Sequence, residues 1–287
     1  MKNIPIRQLG PVHQELPSAG QFKIRRIEDI VGESGLVHDL HRHDFFFILA
    51  LKTGSGGHEI DFIPYIVADN TVFILRPGQV HRLILDAGTT GLLIEFNSEY
   101  YHAQGKIPNQ RLRKAMNKNY CRFESGRFDK LYALLTLMLQ EFSSREDGYQ
   151  DIIRSSLDIF FIEYLRQSPN SGFDSLTTTS YTQERFEEFL DLLEKHIATH
   201  KQVSQYTEWM NLSSYQLNEI TKSSVGKTAS DLINEQIILE AKRYLLATSN
   251  QVKDIADLLG YEDNSYFIRF FKKHVGYSPE AFRIQFR

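Results

Sequence analysis

Between Phe22 and about Phe96 the apolar positions come in short runs, at 45–51, 60–62, 72–75, 81–85 and 92–96. Turn-forming residues separate them, among them the Gly54, Ser55, Gly56, Gly57 stretch, Asp69 with Asn70, Pro77 with Gly78, and Gly88. Short strands at such spacing predict a small β-sandwich or barrel over about residues 20–100. Pro5, Pro11 and Pro17 lie ahead of it without a sustained period, so the first 20 residues read as an irregular lead-in. From Phe128 the period becomes helical. Leu131, Leu134, Leu135 and Met138 follow the i, i+3, i+4, i+7 pattern, and Leu139 and Phe142 extend the stripe. A second helix buries Ile152, Ile153, Leu157, Phe160, Phe161, Tyr164 and Leu165. These two helices, at about 127–167, serve core packing, a dimer interface, or both.

Ser, Thr, Gly and Asn then dominate 168–182, which reads as an exposed linker and places the domain boundary there. Beyond it every predicted element is a helix. The first carries Phe186, Phe189, Leu190, Leu193 and Ile197. A helix pair follows, with Val203, Tyr206, Met210 and Leu212 apolar and Ser213 placed to cap the second member. On that second helix Leu217 and Ile220 point inward, while Ser214, Tyr215, Asn218, Glu219 and Lys222 lie outward or toward the cap; Gly226 ends it. Residues 229–246 form one long helix, about 18 residues and roughly 27 Å. Lys242 and Arg243 near its end read either as phosphate contacts or as a solvated helix terminus.

The last stretch, 252–283, is a second helix pair. Ile255, Ala256, Leu258 and Leu259 hold helical spacing, Gly260 supplies the left-handed stop, and Asp263 is placed to cap the next helix. That helix buries Tyr266, Phe267, Phe270 and Phe271. Its opposite face carries Asn264, Ser265, Ile268, Arg269 and Lys272. Amides and Arg reach base edges, Ile meets a thymine methyl and Lys meets phosphate, so such a face suits a major groove. Gly276 ends the helix, and Ser278 with Pro279 opens another. Periodicity alone would serve a structural helical hairpin equally well.

The order of residues in IADLLGYEDNSYFIRFFKKHVGYSPEAFR separates the two readings. It closely resembles the second helix-turn-helix of the AraC/XylS family of transcription regulators. The matching elements are Ile255 with Ala256, Gly260 with Tyr261, Ser265 to Phe267, Phe270 to Lys272, and Gly276 followed by Ser278, Pro279, Phe282 and Arg283. The first helix pair resembles the family less well: Thr221 stands where an aromatic core residue is usual, and Glu219 is acidic on a face presented to phosphates. Glu219 either accepts from a cytosine amino group or sits on a half that mainly positions the protein.

In the β-rich part, His41 and His43 are read at a strand start, on one face with Phe45 and Phe47; His81 shares a face with Leu83 and Leu85. The HxH of 41–43 and the PGxxH of 77–81 resemble the two signature stretches of the cupin superfamily, the usual sensory domain of AraC-type regulators. Metal-binding cupins add a carboxylate, but Phe47 and Ile48 stand where it is expected. Three imidazoles with water remain a zinc arrangement; the alternatives are polar groups lining a pocket, or hydrogen-bonded core residues. Aromatic walls with few polar groups favour a small organic ligand, so His41, His43, Phe45, Phe47 and His81 form the candidate effector site and no metal is assigned.

Composition narrows the class. The 287 residues are 41% hydrophobic and 24% charged, with no apolar run long enough for a membrane span and no signal-peptide core at the N-terminus. Cys121 is the lone cysteine, which excludes an internal disulfide and a Cys-based zinc site. The chain is expected to be cytoplasmic. The net charge of −3 is low for a DNA-binding protein, and from Lys222 onward ten Lys and Arg face only eight Asp and Glu. DNA affinity of one subunit is therefore expected to be modest and to gain from dimerisation.

The expectation is a multi-domain α+β protein. A cupin-like β-barrel with trailing helices spans 1–167, a linker 168–182, and an all-α domain of two helix-turn-helix motifs joined by a long helix 183–287. The resemblance implies a regulator, not an enzyme, with no cofactor. Its implied partners are double-stranded promoter DNA, a small-molecule effector, a second copy of the chain and RNA polymerase. A ligand-independent regulator whose barrel is only a scaffold, and a metal-dependent cupin enzyme fused to a DNA-binding domain, are the competing readings.

Overall fold

A computed structural model describes residues 4–7, 22–102, 106–116, 118–167 and 180–286. Apart from its first four residues, the chain divides into two compact units, Pro5–Ser171 and Gly172–Arg287. Most of the predicted lead-in and residues 168–179 of the predicted linker lie outside the described residues.

Among the described residues the first unit is two five-stranded sheets and four helices. Its strands begin with β1 (Ile6–Arg7), β2 (Phe22–Arg26), β3 (Leu36–His43), β4 (Phe46–Thr53) and β5 (Gly56–Ile60). They continue with β6 (Ile63–Val67), β7 (Thr71–Leu75), β8 (Val80–Leu85), β9 (Thr90–Phe96) and β10 (Tyr120–Arg122). One sheet runs β1-β3-β8-β5-β6 and the other β10-β7-β4-β9-β2. Between β9 and β10 stand α1 (Ser98–His102) and α2 (Lys106–Met116); α3 (Ser125–Ser144) and α4 (Tyr149–Arg166) follow.

Burial explains why one strand read so clearly. Phe46 through Leu51 are all buried, because β4 lies at the centre of a sheet covered on both faces. Phe47, Leu49 and Leu51 pack with Leu83 and Leu85 between the sheets, whereas Ile48 and Ala50 pack with Leu131, Leu135, Phe160 and Phe161 of α3 and α4. The other sheet leaves its outer face open. Val37 and Ile66 are 67% and 80% exposed.

Four expectations need correction. The 60–62 run is not one strand: Ile60 ends β5, while Asp61 and Phe62 both take positive φ, 46° and 69°, and form the two-residue turn between β5 and β6. The Asp61 carboxylate accepts from the Val80 amide (3.2 Å) and from Gln79 (2.9 Å), which holds the turn against β8. Accordingly Gly56 and Gly57, read as turn, open β5. His41 and His43 end a strand rather than start one. Ile152, expected inside, is 39% exposed. Cys121 is buried, and burial raises its thiol pKa, as inert packing requires.

The second unit is helical: α5 (Ser180–His196), α6 (Val203–Met210), α7 (Ser214–Val225), α8 (Ala229–Ala247), α9 (Val252–Leu258), α10 (Asn264–Val275) and α11 (Pro279–Phe286). Ser180, Tyr181 and Thr182, assigned to the linker, belong to α5. Its core gathers Phe189 and Leu193 of α5 with Tyr206, Leu217, Ile237, Ala241, Ile255, Phe267 and Phe271. No helix among the described residues is long and apolar enough to cross a membrane.

Candidate nucleic-acid interface and effector cavity

In the second helix pair, α9 ends at Leu258, and the chain turns at Gly260, whose φ of +69° the missing side chain permits. Asp263 then caps α10, its carboxylate accepting the Ser265 amide at 2.7 Å. Phe267 and Phe271 are fully buried, and Phe270 is half-buried. Tyr266 is not buried: it is 55% exposed, on the outer side with Ser265 and Arg269. The helix has room for one apolar stripe, centred on 267 and 271, and residue 266 falls one step off it. Lys272 is exposed, and so is Lys273, which the sequence reading left out. Ile268 is half-buried. Asn264 is also half-buried, and its side-chain oxygen is buried without a hydrogen-bond partner, so it is a lesser member of the face. Arg269 approaches Asp263 at 3.9 Å with both side chains exposed, a contact too weak to hold the guanidinium away from DNA.

The first pair is set by a capping box. Ser213 accepts the Gln216 amide (3.2 Å) while Gln216 accepts the Ser213 amide (2.8 Å), fixing the start of α7. Ser214, Tyr215, Glu219 and Lys222 are exposed, Tyr215 at 74%. Asn218 stands apart. Its side-chain oxygen accepts the Ala229 amide at 3.0 Å, so it ties α7 to the first residue of α8. That oxygen is committed to the fold. Thr221 is buried and donates to the Asn218 carbonyl at 3.2 Å, which closes the site where an aromatic residue was expected.

Neither reading of Arg243 survives. Arg243 is 1% exposed and is bonded to Glu240, which removes it from solvent and phosphate alike. Lys242 places its ammonium 5.5 Å from the centre of the Phe282 ring. Arg283 is structural as well, donating to the carbonyls of Leu245 (3.0 Å) and Asn250 (2.5 Å).

In the first unit the three histidines do meet. One ligating nitrogen from each of His41, His43 and His81 lies within 4.8 Å of the others, and all three residues are buried. A fourth, His58, is 1% exposed and was missed. It lies in β5, which pairs with β8, and its Nε2 is 2.9 Å from His81 Nδ1; His81 Nε2 is in turn 2.8 Å from His43 Nε2. His41 Nδ1 donates to the Asp39 carbonyl at 2.6 Å, leaving Nε2 buried without a partner. Burial lowers every one of these pKa values, to about 3 for His43 and His58 and well below the ordinary value for His81. The set is therefore neutral at pH 7. Three neutral imidazoles match zinc in number, but both His81 nitrogens are already in hydrogen bonds, and a metal would have to break one.

A cavity of about 260 Å³ opens beside this cluster. His43, Phe45 and Phe47 line it, as expected; His41 and His81 do not. Ile27, Ile30, Leu36, Leu49, Leu83 and Leu93 complete the apolar wall. The polar wall was not anticipated: Arg7, Lys23, Arg25, His38 and Glu95. Arg25 and Glu95 pair at 2.9 Å, and Arg7 lies 3.1 Å from His38 Nδ1. His38 falls to a pKa of about 4, through burial first and then the charge of Arg7.

Residues 30–142 match the family profile described as an AraC-like ligand binding domain, and residues 206–285 match that of a helix-turn-helix domain. The chain is similar in sequence to the HTH-type transcriptional activator RhaS of Enterobacter, at 23% identity over 252 residues, 85% of this chain and 86% of that protein. RhaS of Escherichia coli is 24% identical over 250 residues at the same coverage. Among solved structures, ToxT from Vibrio cholerae is 13% identical, covers 93% of this chain and 97% of its own, and gives a TM-score of 0.41. The first profile falls on the unit holding the cavity and the second on the unit holding both helix pairs, and the RhaS proteins are transcriptional activators matched along most of their length. The chain belongs to the AraC family of transcription regulators, with an AraC-like ligand-binding domain and a helix-turn-helix DNA-binding domain.

Proposed function

We propose that this regulator binds promoter DNA sequence-specifically through α7 and α10, and that a small molecule in the cavity of its first unit controls that binding. The cavity carries the second half of the reading. The space between the sheets is not filled: about 260 Å³ remains, with aromatic and aliphatic walls and a few polar groups. A scaffold with no ligand to bind would gain stability from closing that space, which disfavours the ligand-independent alternative.

On DNA, Ser265, Ile268, Arg269 and Lys272 are the principal reading and anchoring residues of α10, joined by Tyr266 and Lys273. Ser214, Tyr215, Glu219 and Lys222 serve α7, with Asn218 in support of the fold. The 19 residues of α8 span roughly 28 Å. That is near the ~34 Å of one DNA turn, so the two motifs suit successive major grooves. The small basic excess favours action as a homodimer, with RNA polymerase as a protein partner and the cytoplasm as the compartment. We also assign the ligand-binding unit a cupin-like barrel and the 168–179 stretch the role of linker.

The test measures affinity of the full-length protein for a selected DNA fragment, and its quaternary state, with and without fractionated small-molecule extracts. A fraction that shifts either one supports the reading. If none does, control by a small molecule is refuted while DNA binding stands.

A further inference from the structure

We infer that the ligand of this cavity is a small organic acid, a single carboxylate on a compact apolar body. The inference rests on the proposal that the cavity binds a small molecule. It names the chemistry of that molecule.

The argument is a charge count at one wall. Arg7, Lys23 and Arg25 contribute three permanent cations, against the one carboxylate of Glu95. His38 and His43, with pKa values of about 4 and 3, are neutral at pH 7 and offset nothing. Glu95 is already spent on Arg25, and Lys23 has no ion-pair partner among the described residues. Arg25 also keeps its Nε buried without a hydrogen-bond partner. A buried guanidinium N–H with nothing to donate to is costly, and an incoming carboxylate oxygen would satisfy it.

The topology gathers these groups. β1 and β2 are the edge strands of the two sheets, so Arg7 on one and Lys23 and Arg25 on the other flank the open side of the sandwich. The charge of Arg25 reaches His38 on β3, which places the two edges close together. Opposite lies an apolar wall centred on Phe47 and Leu83. A volume below the ~300–1,000 Å³ typical of drug-sized ligands limits the body to that of a small metabolite. An uncharged sugar would leave the cations uncompensated and set its hydroxyls against Phe45 and Phe47; a phosphate ester with a polar body would do the same at the apolar wall.

The test is calorimetric titration of the full-length protein with straight-chain and aryl carboxylic acids from butyrate to decanoate size, each paired with its primary amide. The tightest acid should bind about tenfold or more tighter than its own amide. In Lys23→Met that ratio should fall to about twofold or less, with an unchanged melting temperature showing that the variant folds. Amides that bind as well as acids would overturn the acid assignment and leave the small-molecule reading intact. An acid preference that Lys23→Met does not reduce would place the carboxylate elsewhere and overturn it too. If neither series binds, the acid assignment falls, and the small-molecule reading is decided separately by the extract titration.

Discussion

Gly260 faces the carbonyl oxygen of Ala198 so closely that a Cβ built on it would lie 2.0 Å from that oxygen. Lys201 reinforces the junction, its ammonium donating to the carbonyls of Ala198 and Gly260 at 3.0 Å each. The turn between α9 and α10 is thereby fastened to the end of α5. Gly260→Ala meets both the left-handed φ and the backbone overlap. It should cost about 2 kcal/mol or more of stability in the DNA-binding unit, read as a lowered melting transition.

Asn218 is the position where a structural and a reading role diverge most sharply. Asn218→Ala should lose about 1 kcal/mol of stability, the worth of a hydrogen bond to a helix's first amide. Asn218→Asp keeps the acceptor oxygen and should retain most of it. Base preference, measured on a panel of site variants, should be unchanged in Asn218→Ala. Relaxation at one base pair would return this residue to the reading face.

On α10 the expected signatures differ by residue. Arg269→Ala should lose about 1–3 kcal/mol and relax the preference at one base pair. Equal loss on every sequence would make it a phosphate contact. Lys272→Ala should weaken binding evenly and reduce the slope of log affinity against log salt by about one.

The buried histidines set an acid limit on the first unit. His43 and His58 are held near pKa 3, against about 6.5 in the unfolded chain. Between those values the unfolded state binds more protons than the native one, so stability falls as pH drops below about 6.5 and is unaffected above it. His41 and His81 shift in the same direction; the fixed charges acting on the group are Arg7, on His41 and His43, and Asp39, on His41. Chemical denaturation from pH 7.5 to 4.5 should show this slope (roughly 1.4 kcal/mol per pH unit per group at most). His58→Gln should flatten it.

The helical unit was largely legible because its signals are local. Ser213, Gly226, Asp263 and Gly276 cap the elements they were expected to cap, and apolar spacing located each helix. What escaped there was decided by neighbours distant in sequence. The burial of Arg243, the bond from Asn218 to Ala229 and the outward turn of Tyr266 depend on which face each helix presents to the core. In the β-rich unit, β4 was plain because both its faces are buried, whereas β3 and β6 are half-exposed and carry little alternation. His58 sits beside two glycines and gives no local sign of burial; only its pairing across to β8 brings it to His81. The cations of the cavity come from edge strands too short and too charged to read as strands at all.

Selection of genomic DNA fragments by the full-length protein, followed by sequencing, tests the central claim most directly. Two helix-turn-helix motifs joined by α8 predict enriched fragments sharing two short conserved blocks, about 10–10.5 base pairs apart centre to centre. Exchange of Ser265, Arg269 and Lys272 for alanine should abolish the enrichment of one block. Uniform recovery of all fragments, with affinity governed by salt alone, would contradict the account.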